Sequence, residues 1–84
     1  MDVDTRNATT LRVLELLDES FRAYQGDDHA RFTRALNDAM ELDVHAVSIV
    51  QGGMIIGEIP HPERDPQGWA EYLEAAREQL GQPA

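Results

Sequence analysis

Apolar residues recur at three- and four-residue steps near the start of the chain. Leu11, Leu14, Leu17, Phe21 and Tyr24 form one stripe, widened by Val13 and Leu16. That is the period of an amphipathic helix. Thr9 or Thr10 can cap its start with a side-chain oxygen. Gly26 is the natural stop, because glycine accepts the left-handed conformation that closes many helices. Asp18 and Arg22 sit one turn apart on the polar side and form a favourable pair. Residues 1–8 are polar and without period, and read as a flexible N-terminal arm. Asp27 or Asp28 then caps a second helix that turns Phe32, Leu36, Ala39 and Met40 inward, with Ala35 and Leu42 at the margin. So short a linker predicts an antiparallel helical pair.

The pattern changes in the middle of the chain. Val44 to Val50 is rich in β-branched residues and reads as a strand. Met54 to Ile59 reads as its return, with Gly52 and Gly53 as the two-residue turn of a hairpin. In that register Val50 faces Ile55, Ser48 faces Gly57 and Ala46 faces Ile59. The other face carries Val47, Ile49, Met54 and Ile56, together with Gln51 and Glu58. Both faces are then partly apolar. An isolated hairpin is marginal in water, so a helix or a second subunit must cover it. A four-stranded sheet across a two-fold axis is one solution.

Pro60 to Arg64 reads as a stiff linker. Asp65 caps a last helix, with Pro66 at its first position, where the missing N–H costs nothing. Its stripe is Trp69, Tyr72, Leu73, Ala76 and Leu80, and Gly81 ends it. The expected fold is therefore α+β, in the order helix–helix–hairpin–helix (ααββα). It comprises one domain over 9–81, with a tail at 82–84 and the hairpin paired across a homodimer.

Composition narrows the function. There is no cysteine, which removes disulfides, thiol nucleophiles and Cys-ligated zinc. The seven basic residues are all arginine, as in high-GC genomes or salt-adapted proteins, so lysine chemistry is absent too. Net charge is −9. Binding to nucleic acid or to an anionic membrane needs a basic patch, and the acid is spread along the chain. The N-terminal stretch lacks the apolar core of a signal peptide, and a cytoplasmic location is expected.

Candidate chemistry is thin. Ser20 and Ser48 lie in no nucleophile elbow. His45, Glu58, His61 and Glu63 are weak candidates for a metal site at the base of the hairpin, and no cofactor is expected. Asp38, Glu41 and Asp43 crowd a helix C-terminus, where the helix dipole disfavours acid. With Glu71, Glu74 and Glu78 they are a candidate acidic patch. Trp69 and Tyr72, one turn apart, suit either a core or an interface. The candidate interface is Val47, Ile49, Met54, Ile56, Trp69 and Tyr72. Three functions fit. The first is a non-enzymatic module that binds another protein, as a homodimer. The second is a nucleic-acid mimic that blocks a basic partner. The third is a small ligand-binding or enzymatic domain with its site at a dimer interface.

Overall fold

The stripe that begins at Leu11 organises the molecule. In the computed structural model, which describes residues 3–81, it lies on helix α1 (Val3–Gln25). Two helices follow, α2 (His29–Ile56) and α3 (Pro66–Leu80). Both pack on α1, and they do not pack directly on one another. The core joins Val13, Leu14, Leu16 and Leu17 of α1 to Ala39, Val47, Val50 and Met54 of α2 and to Trp69 and Leu73 of α3. Met40, assigned inward by its spacing, is exposed.

One polar contact ties α3 to α1. The Trp69 indole Nε1–H donates to Asp18 Oδ1 at 3.0 Å. The other oxygen, Oδ2, accepts from Arg22 Nε at 3.0 Å, so the expected pair forms. Phe21 meets the Trp69 ring edge-on at 6.1 Å, and Tyr72 stacks on its other side at 5.8 Å. Ser20, fully buried, donates to the Leu17 carbonyl at 2.7 Å and so satisfies its hydroxyl within its own helix.

Several expectations need correction. Helix α1 begins at Val3, so residues 3–8 are helical and Thr9 is not a cap. Its hydroxyl bonds back to the Thr5 carbonyl at 3.0 Å. Residues 1–2 and the tail at 82–84 lie outside the described residues. At the other end of α1 the left-handed residue is Asp27, with φ 58°, and not Gly26. Asp28 N–H bonds to the Ala23 carbonyl at 2.8 Å and Asp27 N–H to the Tyr24 carbonyl at 3.2 Å. That pairing is a Schellman closure with aspartate at its strained position. Asp28 caps α2, its side chain accepting from Arg31 N–H.

The largest correction concerns the hairpin. Among the described residues there is no β-strand, so the fold is all-helical and the α+β order ααββα does not hold. The stretch 44–56 is the second arm of α2. Three features outweigh its β-branched composition. Val47, Val50 and Met54 recur at helical steps and are all buried against α1. Asp43 supplies a start, accepting from Ala46 N–H at 3.1 Å. Gly57, with φ 83°, supplies a left-handed stop. Glu58 N–H and Ile59 N–H both turn back to the Gly53 carbonyl, at 2.9 and 3.1 Å. A short apolar run satisfies strand and helix templates alike, and packing decides between them. Gly53 serves a close approach rather than a turn. A Cβ there would lie 2.6 Å from Cδ1 and 2.8 Å from Cγ1 of Ile59.

Two stability changes follow from these geometries. Asp27→Gly relieves the left-handed strain and raises the unfolding free energy by about 0.5–1 kcal/mol in denaturant titration. Gly53→Ala lowers it by about 1 kcal/mol, because overpacking on Ile59 exceeds the gain in helix propensity. Adding Ile59→Val, which removes Cδ1, recovers part of that loss, and a double-mutant cycle reads the coupling.

Candidate interaction surface

Helix α2 is broken at Asp43, whose φ of −164° and ψ of 93° are extended. The break is an internal N-cap. The carboxylate that accepts from Ala46 N–H starts the arm 44–56 afresh and points it along α1. The arm buries Val47, Val50, Gly53 and Met54.

Its opposite side is apolar too. Helical geometry advances about 100° per residue, so Val44, Ser48, Gly52 and Ile56 form one row, pointing away from the buried side. Ile55 and Ile49 flank that row. Exposure is 56% for Val44, 69% for Ile49, 78% for Ile55 and 69% for Ile56. No acidic or arginine residue lies between Val44 and Gly57. A Cβ added at Gly52 would meet nothing within 4 Å among the described residues, so no packing among them requires glycine there.

A cleft lies on each side of the arm. One is an open groove of about 580 Å³ between the arm, α1 and α3, with Leu14, Val50, Ile59, Tyr72 and Leu80 among its walls. Arg6, Asp43, His45 and Ile49 also line it. The other is a smaller cleft of about 280 Å³, bounded by Phe21, Met54, Ile55, His61 and Arg64.

The proposed metal ligands are not brought together. His45 lines the groove, whereas His61 packs against Phe21 at 5.7 Å in the other cleft. The His61 Nδ1 accepts from Glu63 N–H at 3.1 Å. Glu58 and Glu63 are exposed, and no group of three or more potential ligands forms among the described residues. Of the candidate interface residues, Val47, Met54 and Trp69 are core, Tyr72 is half-buried in the groove, and Ile49 and Ile56 face solvent. The candidate acids divide between two helices. Asp43 is spent as a cap, and Asp38 and Glu41 line a shallow cleft with Arg12 and Leu16. Glu71, Glu74 and Glu78 are exposed along α3. The outer row of Val44, Ser48, Gly52 and Ile56, with Ile55 beside it, goes unnoticed when the segment is read with a period of two. Read at four-residue steps, the same letters display it.

The cap is testable. Asp43→Ala leaves the Ala46 N–H without its acceptor and lowers stability by about 1 kcal/mol, whereas Asp43→Asn keeps most of it. Chemical denaturation followed by circular dichroism measures both.

No family model, no curated protein and no solved structure matches this chain.

Proposed function

We propose that this chain is a small, non-enzymatic protein-interaction module whose docking surface is the outer face of the arm 44–56. The observation that carries the reading is a run of strongly exposed aliphatic side chains, Val44, Ile49, Ile55 and Ile56, on a segment without an acidic residue, arginine or lysine. Apolar surface gathered in one place, in a chain of net charge −9, marks a site where water is displaced by another molecule. A catalytic reading has less support, since His45 and His61 line different clefts. The nucleic-acid-mimic reading needs a continuous carboxylate array, and the acids sit on two helices that do not pack on each other. Anionic lipid is a poor partner for the same net charge.

The test compares capture by the wild-type chain and by Ile55→Glu from cells that express it. Ile55 is 78% exposed, so the charge leaves the core intact. The wild type is expected to retain a protein, its own chain included, that Ile55→Glu loses and that Glu74→Arg, on α3, keeps. Equal recovery by all three overturns the reading.

A further inference from the structure

We infer that the outer face of the arm takes a second copy of this chain, the two arms crossing antiparallel with Ser48 of each beside Gly52 of the other. The inference rests on the reading of that face as a docking surface and names its occupant.

Shape is the first argument. Val44, Ser48, Gly52 and Ile56 are an i, i+4 row that is large at both ends and small in the middle. Two helices that pack such rows into each other cross at about −50°. They are closest at the crossing point and diverge away from it. Small residues belong at the crossing and larger ones where the helices part. One row therefore supplies both the dent and the flanks that an identical row needs, which is the self-complementarity a two-fold interface requires. Antiparallel pairing also sets the N-terminal end of each helix dipole toward the C-terminal end of the other. It places Val44 of one copy near Ile56 of the other.

Glycine at position 52 is the second argument. In a helix interior glycine costs about 1 kcal/mol relative to alanine. Gly53 has its reason in Ile59, but an added Cβ at Gly52 would meet no atom of the described residues within 4 Å. Close approach of another backbone accounts for it.

Area and charge agree. Val44, Ile49, Ile55 and Ile56 expose roughly 400 Å² of aliphatic surface, taking about 100 Å² for each side chain. Two copies would cover about 800 Å², and with the usual polar share the interface reaches about 1,400 Å², within the range of specific complexes. A second copy also carries −9 and is repelled wherever acid meets acid. The stretch from Val44 to Gly57 carries no carboxylate. A basic partner would instead be drawn to the acid-bearing faces. Only the ends bring like charges together, Asp43 of one copy toward Glu58 of the other, so added salt strengthens the association.

Light scattering during size exclusion, over a range of concentration and salt, reads the assembly of the full chain. Wild type should approach twice 9.4 kDa, more readily at higher salt. Gly52→Leu puts its Cβ in open space among the described residues and should gain helix stability as a monomer, yet its dimer dissociation constant should rise at least tenfold. The chain has no cysteine, so introduced ones give clean cross-links. A mixture of Ser48→Cys and Gly52→Cys chains should form the mixed disulfide faster than either forms its own. A dimer that Gly52→Leu leaves unchanged overturns the inference, and so does preferential cross-linking of each variant to itself. A monomer at every concentration also overturns it. If that monomer still captures a protein that Gly52→Leu loses, the docking surface stands with another occupant. If it co-sediments with zwitterionic vesicles, the occupant is lipid. A monomer that does neither overturns both readings.

Discussion

The molecule depends on one helix being satisfied on two sides at once. Helix α1 carries Val13 and Leu14 beside Leu16 and Leu17, a band wider than a single partner can cover. α2 takes the greater part and α3 the remainder, and those two helices meet only through α1. For α3 the attachment is narrow: Trp69 and Leu73 in the core, and the indole N–H on Asp18. That hydrogen bond matters beyond its own energy. A buried indole donor without an acceptor costs about 1–3 kcal/mol, and Asp18 is held for the task by Arg22. Arg22 is largely exposed and the ion pair itself adds little; the carboxylate's weight lies in accepting the buried indole donor of the third helix.

Much of this was legible before any coordinates. The stripe on α1, the capping aspartates Asp28 and Asp65, the proline at the start of α3 and its Trp69–Leu73 core all follow from spacing and caps. The segment 44–56 did not, for a definable reason. Val, Ile and Gly-Gly are strong local signals for a hairpin, but propensity is a weak term beside burial. Val47, Val50 and Met54 obey a helical period against α1, and the helix is bounded by Asp43 and Gly57. The word Gly-Gly hid two unrelated requirements. One glycine makes room for Ile59, and the other opens toward solvent. Asp43, an apparent misfit at a helix C-terminus, is an acid at the N-terminus of the next arm, where the dipole favours it.

The exposed apolar face of the second arm was only half legible. An excess of apolar surface in the middle of the chain is visible in either reading, and Ile49 and Ile56 fall on it in both. Assigning the outward side requires knowing the period, since a strand and a helix sort the same letters differently. Val44, Ser48, Gly52 and Ile55 therefore emerge only from the fold. Trp69, a plausible anchor by residue type, is taken up by the core.

The break at Asp43 also divides an apolar helix of unusual length. By length and mean hydropathy, α2 is a helix that could cross a bilayer, and only 28% of its most apolar window is buried within the protein. A span needs roughly 20 continuous residues to traverse about 30 Å of hydrocarbon. The extended backbone at Asp43 interrupts the ladder, and the arms on either side, 29–42 and 44–56, are each too short. Beyond the break one backbone donor, Ala46 N–H, takes the Asp43 side chain as its acceptor in place of a helix carbonyl. A single carboxylate thus divides an apolar stretch of span-like length into two shorter helices while leaving one oily face of the second exposed.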